Sequence, residues 1–566
     1  MVKLYDRLFK NKRNCDILFF IGFIAIIALY LYKIPLDIQG NDEAFYLTVP
    51  KRLLDGDVFL VDEWHGSQFS AFLVYPLMWI HNLLFTSDGI VLHFRYIYLI
   101  CHAAVCLVIY FRLRDKKLFA IAAALMLFLF TPYDITALSY NTMGLDLVAV
   151  TGVLLSTAQS KKVFFIAGIT FAAAVLCCPY LIFVYAVFGV IALIFAMVKR
   201  NGKIAISFLM FTLGAALLAV ILFAFILSRT TLSEFLKAIP NLFTDPEHVS
   251  KPFFEGLFKY FRSIVDAFAW GKLYFGVYAV SLIIAAFDKK RYQHRTGYIA
   301  VSVVIAILML IEFAFDASTT AYNHIMFPAV LIGLTSHIVT YKKDHRTFLF
   351  MYLGALAYTM CIFFSSNQYF YIISATSTAA GVGSIILLYR ALLEEKYEKK
   401  SCLPEAAVLV MVLALLQVFL MTNTKLVHKF WSYSKNSELT SVISDGPYMG
   451  IKVTPGTEQN YNVQLAQLGA LHGKQGSVLY ATTKVWYYFE TPDLSIGSYS
   501  AWLSGESNTT VDRLSEYYSQ NPKKVPTYIY MPAGGEWDTE YFKSKIIDKY
   551  GYKFSVTEGG TLYSRV

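Results

Sequence analysis

Apolar residues run unbroken from Ile17 to Tyr32 and recur in stretches near 88–111, 142–160, 180–198, 204–228, 264–287, 296–314, 324–340, 347–365, 372–390 and 404–422. As helices these are long enough to cross a hydrocarbon core of about 30 Å. Shorter stretches near 118–132 and 163–178 read the same way, so the pattern predicts about thirteen spans. Beyond Thr422 the pattern changes. Strand-like runs at Val478–Ala481 and Tyr528–Met531 alternate with helix-like segments near 458–472, 509–520 and 539–549. The predicted fold class is a polytopic α-helical membrane protein over residues 1–422, followed over residues 423–566 by an α/β domain of ordinary size.

Composition narrows the function classes. The chain has 566 residues, of which 57% are apolar and 16% charged, and a mean hydropathy of +0.52. A water-soluble enzyme, with about 25% charged residues, is excluded. Aromatic residues at 16% exclude disorder, and the seven cysteines all precede the C-terminal domain, which therefore has no disulfide framework. The net charge of +10 does not point to nucleic acid, because Lys and Arg lie in short clusters between apolar runs and read as topology determinants.

Lys3, Arg7, Lys10, Lys12 and Arg13 precede the first run, which predicts an uncleaved anchor with a cytoplasmic N-terminus. The apolar stretch Gln68–Phe85, counted as a span, would place Arg112, Arg114, Lys116 and Lys117 outside. Read instead as an interfacial helix, with Tyr75, Trp79 and His81 suited to that place, it leaves every basic turn cytoplasmic. Those turns are Lys161-Lys162, Lys199-Arg200, Lys289–Arg295, Lys342–Arg346 and Arg390–Lys400, whereas the turns 133–141, 315–323 and 365–371 contain no Lys or Arg. An odd number of spans puts the C-terminal domain outside.

The external loop 35–87 concentrates charge beside the bilayer: Asn41-Asp42-Glu43, then Tyr46, Lys51-Arg52, Asp55-Gly56-Asp57 and Asp62-Glu63. Residues 43–54 fit an amphipathic interfacial helix with Phe45, Leu47 and Leu53-Leu54 toward lipid. Asp42 would then stand at its N-terminal end, where backbone partial charge favours an ionised carboxylate able to accept a proton from a bound hydroxyl. A solvated loop with ordinary surface acids is the other reading.

Asp42-Glu43-Ala44-Phe45-Tyr46, followed by Leu54-Asp55-Gly56-Asp57, resembles the D-E-x-x-Y and following G-D element in the first external loop of C-type (GT-C) glycosyltransferases that use polyprenyl-phosphate sugars. The nearest groups are the dolichyl-phosphate-mannose protein mannosyltransferases and the lipid A aminoarabinose transferases. The resemblance covers the membrane region. It implies a GT-C-like multi-pass enzyme of the plasma membrane that moves a sugar from a polyprenyl-phosphate donor to an acceptor hydroxyl on a lipid, protein or cell-wall glycan at the outer face. Asp42 takes the place of the family's catalytic base, with Glu43 and Tyr46 in support. One base without a second nucleophilic carboxylate implies inversion at the anomeric carbon.

The same resemblance marks Arg95, in Leu92-His93-Phe94-Arg95-Tyr96, for service to the donor phosphate, against a structural ion pair with Asp134 or Asp42. His324, in Tyr322-Asn323-His324-Ile325-Met326-Phe327-Pro328, is open between a hydrogen bond to that phosphate and a helix-end role. Glu312 and Asp316 flank the same loop, Glu312 as a polar group facing the bundle interior. Asp134, with Tyr140 and Asn141, is expected to face the same cavity and to bind sugar hydroxyls or a cation. A lone carboxylate is a weak metal signal, so no cofactor and no obligatory metal are expected.

Two departures stand out. The Lys-Pro of the aminoarabinose transferases is missing from Trp64–Ser70, where His65 or Gln68 is the substitute at hand, and the C-terminal domain has no match, its Gly446–Gly450 and Gly534-Gly535 reading as turns. The external segment 229–262, with Asp245–His248 and Lys251, is a loop over the cavity or a pair of interfacial helices. The competing functions are an oligosaccharide ligase with a polyprenyl-diphosphate donor and a polytopic transporter or flippase. Against the transporter stand the lack of repeated halves and the scarcity of ionisable residues at span midplanes.

Overall fold

The computed structural model describes residues 11–38, 40–243, 252–315, 321–340, 344–394, 404–427, 434–503, 507–535 and 537–565. Lys3, Arg7, Lys10, Asp245–His248, Lys251, Asp316, Lys342 and Cys402 lie outside these residues. Every apolar run is helical: α1 (Lys12–Lys33), α4 (Ile90–Leu113), α5 (Leu118–Leu129), α6 (Tyr140–Thr157), α7 (Lys161–Cys177), α8 (Leu181–Val198), α9 (Gly202–Leu227), α12 (Gly271–Phe287), α13 (Arg295–Phe315), α14 (Ala329–Val339), α15 (Gly354–Phe364, entered through a π-helical turn Thr347–Leu353), the pair α16 (Tyr369–Thr376) and α17 (Thr378–Tyr389), and α18 (Pro404–Val427). Among the described residues seven helices are long and apolar enough to cross a membrane, and up to nine if each bent pair is one span. The bent pairs are α11 (Phe253–Asp266) with α12, at 104°, and α16 with the helix that follows it, at 43°. The other four predicted runs, α5, α6, α7 and α14, are shorter or more polar helices packed in the same bundle.

Small residues set the closest approach in the bundle. A Cβ on Gly168 of α7 would lie 1.9 Å from the carbonyl oxygen of Phe211, and one on Gly214 of α9 would lie 1.9 Å from that of Phe165. Only glycine lets these two backbones meet, the usual device where no hydrophobic drive separates helix from lipid.

The loop 35–87 forms two helices that are not spans. The stretch expected to be interfacial forms α3 (Ala71–Leu84), with Trp79, Ile80, Leu83 and Leu84 exposed. The helix α2 (Asp42–Leu54) forms where expected but does not turn its apolar face to lipid. Phe45, Leu47 and Leu53 are at most 5% exposed. The reason is the C-terminal region, which covers the helix: Phe45 packs edge-on against Trp502, and Lys51 donates to the carbonyl of Leu494 at 3.1 Å. The segment 229–262 contains α10 (Leu232–Ala238) and the start of α11.

The C-terminal region is α/β. After the short pair β1 (Ser441–Val442) and β2 (Lys452–Val453) comes α19 (Pro455–Gln467), then a five-stranded sheet of β3 (Gly476–Tyr480), β4 (Leu494–Ile496), β5 (Tyr528–Pro532), β6 (Lys553–Thr557) and β7 (Gly560–Ser564) in the order β4-β3-β5-β7-β6. β3 is parallel to both its neighbours, with Val478 opposite Ile496 and Tyr528, and the last three strands are antiparallel. A short helix α20 (Tyr487–Glu490) joins β3 to β4, and α21 (Ser507–Gln520) joins β4 to β5. The region caps one end of the bundle through backbone bonds from Lys452 N to the Pro35 carbonyl (2.6 Å), from Asp37 N to the Lys452 carbonyl (2.7 Å) and from Gly89 N to the Gly446 carbonyl (2.9 Å).

The loop after α2 plugs into this region. Trp64, fully buried, meets Tyr499 and Tyr517 with ring centroids 6.0 and 5.1 Å apart. Arg52, also fully buried, bonds Asp57 at 2.7 Å and Glu63 at 2.9 Å, and Lys524 of the C-terminal region pairs with Asp57 and, at 3.5 Å, with Asp62. Because Lys524 is 24% exposed, solvent screens its pairing. The Lys524→Ala protein is expected to lose about 1–2 kcal/mol of docking stability. Limited proteolysis should show faster cleavage of the C-terminal region, and unchanged cleavage would show that Arg52 and Trp64 hold it unaided.

Candidate active site

Asp42 is the first residue of α2, with Asn41 as its cap; the carbonyl of Asn41 accepts from Phe45 N at 2.9 Å. Its carboxylate is partly buried and forms no hydrogen bond or ion pair among the described residues. Burial, and then the neighbouring Glu43 charge, push its pKa up to about 6. The helix terminus, expected to favour the ionised form, does not by itself set this value. Desolvation and a like charge outweigh the backbone partial charge, and the result is a carboxylate poised close to neutrality.

Glu43, the next residue, is locked. Both its oxygens face Arg95, with Nε at 3.0 and 3.1 Å and a further bond from the guanidinium terminus, and Thr136 Oγ1 donates at 3.2 Å. The rest of the Arg95 fork is taken by the carbonyls of Ile34 (2.6 Å), Leu36 (3.1 Å) and Asp37 (2.6 Å). Arg95 is 1% exposed. Of the roles open to Arg95 from sequence, this geometry is a structural ion pair, and its partner is Glu43 rather than Asp134 or Asp42. The planar fork ties the end of α1, the start of α2 and α4 into one unit, and so fixes the residue next to Asp42.

Tyrosines surround Asp42. Tyr46 lies one turn along α2 and meets Tyr140 edge-on at 5.8 Å. The hydroxyls of Tyr46 and Tyr133 are both pushed far up, by burial first and then by neighbouring charges that include Asp42. They therefore stay protonated and keep a proton to donate. Tyr448, from the turn between β1 and β2, is buried, feels the charges of Glu43 and Asp42, and its hydroxyl has no hydrogen-bond partner among the described residues. Nothing in the local pattern of Gly446–Gly450 marks Tyr448, since its place depends on a turn packing against the start of α4, where Val91 N donates to the Pro447 carbonyl at 3.3 Å.

The remaining sequence candidates fall elsewhere. Asp134 is fully buried between Lys33, the last residue of α1, and Lys425 near the end of α18, the latter at 3.0 Å. Its carboxylate holds helices together, which corrects the expectation of a cavity-facing ligand: two ammonium groups occupy it, and Lys425 is itself sandwiched over the rings of Tyr30 (4.7 Å) and Tyr322 (5.2 Å). His324 is buried, its Nδ1 2.6 Å from Ser374 Oγ, among the rings of Phe313, Phe370 and Tyr371. Gln68 is a loop brace, accepting from Leu60 N at 2.7 Å and donating to the His65 carbonyl at 2.9 Å. His65 lies edge-on to Phe45 at 4.9 Å. Glu312 accepts from Ala269 N at the bend between α11 and α12. No group of three or more His, Cys, Asp or Glu side chains suited to a metal ion occurs among the described residues.

No family model matches the chain, and no curated protein matches it. Among solved structures that match is the archaeal oligosaccharyltransferase AglB from Archaeoglobus fulgidus, in complex with an inhibitory peptide and a dolichol-phosphate. The two are 12% identical with a TM-score of 0.44, and the match covers 96% of this chain and 74% of that one.

Proposed function

We propose that the protein is a membrane glycosyltransferase that moves a sugar from a polyprenyl-phosphate donor to an acceptor hydroxyl at the outer face of the plasma membrane. The observation that carries this reading is Asp42: an unpartnered carboxylate in a cluster of protonated tyrosines, with a pKa of about 6. A carboxyl tuned toward neutrality is what a general base needs at physiological pH. The D-E-x-x-Y resemblance of the same residues supports it, and so does the setting of Asp42 where the bundle meets the α/β region.

In the proposed step the acceptor oxygen attacks the anomeric carbon while Asp42 takes its proton. The bond from that carbon to the phosphate oxygen breaks, and polyprenyl phosphate leaves with the electron pair. Asp42 then returns the proton to solvent. Glu43, held by Arg95, keeps a second negative charge beside Asp42 and so maintains its basicity. Tyr46 and Tyr133, which both feel the Asp42 charge, would donate to sugar hydroxyls. A single displacement of this kind inverts the anomeric configuration.

The test is turnover. Purified protein in lipid, given a panel of short-chain polyprenyl-phosphate sugars, is expected to release polyprenyl phosphate from one of them, followed by mass spectrometry. Release from none of the monophosphate donors, with release from a diphosphate-linked oligosaccharide, would replace this reading by the ligase.

A further inference from the structure

The buried cations of α2 and of the helix ends beside it are taken up by carboxylates of the protein itself. Arg95 is bound to Glu43, Lys33 and Lys425 to Asp134, Arg52 to Asp57 and Glu63, and Lys51 to Asp55. A donor phosphate near Asp42 needs a cation that is not already neutralised. Lys484 qualifies: it is partly buried, and its ammonium makes no hydrogen bond or ion pair among the described residues. Burial alone lowers its pKa, as expected of an ammonium group held without a counter-charge.

Its place in the fold points the same way. Lys484 lies in the loop leaving the carboxyl end of β3, the strand with parallel neighbours on both sides, β4 reached first and β5 later. That is the point where strand order reverses, and open α/β sheets bind ligands in the crevice there. Contacts made by residues on either side of this crevice link it to the start of α2, where Asp42 stands. Helix α2 runs against the direction of β4, since its Lys51 reaches Leu494 at the start of that strand while Phe45, near Asp42, packs on Trp502 beyond its end. Trp486, two residues after Lys484, lies 6.0 Å from the ring of Tyr448, which feels the charges of both Asp42 and Glu43. Thr482 and Thr483 precede Lys484 and are partly exposed beside it; Thr482 Oγ1 accepts from Lys484 N at 3.3 Å.

We infer that Lys484, with the hydroxyls of Thr482 and Thr483, holds the phosphate of the polyprenyl-phosphate donor, so that the C-terminal α/β region supplies the phosphate-binding half of the active site. This rests on the function proposed above. As the sugar–phosphate bond breaks, negative charge grows on the departing oxygen, and a lysine point charge facing it stabilises the transition state and the free phosphate alike.

The test uses the full chain in lipid nanodiscs and measures binding of farnesyl phosphate, farnesol and an oligomeric glycerol phosphate. Lys484→Ala is expected to weaken farnesyl phosphate binding roughly 10- to 100-fold and leave farnesol binding unchanged. Lys484→Arg, which keeps the charge, should stay within about fivefold of wild type. Because Lys484 carries a partly buried charge with no counter-charge, removing it should leave the melting temperature level or slightly raised, and not lowered. Unchanged farnesyl phosphate binding in Lys484→Ala overturns the inference while leaving the glycosyltransferase reading intact. Loss of glycerol phosphate binding alone also overturns it, by assigning the loop to an anionic acceptor. A wild-type protein that binds no farnesyl phosphate and turns over no monophosphate donor overturns both.

Discussion

Asp42→Asn is expected to lower turnover by roughly 100- to 10,000-fold while leaving donor binding within a few-fold of wild type, the signature of removing a general base. The same substitution should stabilise the protein. Asp42 has its pKa raised from 3.8 to about 6 on folding, so the folded state holds this proton more tightly than the unfolded chain does. Ionising Asp42 therefore costs stability, the cost grows as pH rises from about 4 to about 6, and it is complete above that. Partial solvent access reduces the full linkage value, which leaves an expected gain of about 1–2 kcal/mol for the Asp42→Asn protein at pH 7.5 and none at pH 4. A rise in melting temperature at neutral pH that disappears in acid, together with lost turnover, marks a functional carboxylate held at a structural cost. A surface acid gives neither.

Activity of the wild type should follow the same group. The ionised base is needed, so the rate per molecule is expected to fall tenfold per pH unit below about 6 and to level off above it. Initial rates at subsaturating donor between pH 4.5 and 8, which report the free enzyme, would read this directly. A flat profile through pH 6 would mean that the proton goes elsewhere.

Much of the molecule is legible in the chain because its signals are local. Apolar runs predict the helices, since a lipid-facing helix must be apolar along its whole length. The helix over residues 43–54 and the first carboxylate at its start are local as well. What the chain conceals is pairing between distant positions. Phe45, Leu47 and Leu53 read as a lipid-facing stripe, yet they are buried because Trp502 and the Leu494 strand cover them. Arg95 advertises a need for a counter-charge inside a span, but sequence spacing alone cannot choose among Asp42, Glu43 and Asp134. The tyrosine cluster is hidden for the same reason, since Tyr46, Tyr133 and Tyr448 come from three separate segments.

Asp134→Asn is expected to be the most destabilising single change in the membrane region. The native carboxylate sits between Lys33 and Lys425, each at most 1% exposed, and its loss removes the anion that both buried ammonium groups bond. Breaking a buried pair by removing one partner costs about 3–5 kcal/mol. Here one anion serves two cations, so the effect should lie at the upper end. The backbone does not confuse the experiment. Tyr133 and Asp134 both have φ of +56°, a left-handed conformation rare outside glycine, and asparagine is among the residues that tolerate it best. Lys425→Met, in contrast, leaves the Lys33–Asp134 pair in place and keeps an apolar side chain between Tyr30 and Tyr322. It should therefore cost clearly less than Asp134→Asn, and combining the two should cost less than their sum, because the second change removes a charge that the first has orphaned. Melting temperatures of the detergent-solubilised variants would show the order. If Lys425→Met proved the more damaging, Asp134 would not be the centre of the triad, and a cavity-facing role for its carboxylate would return.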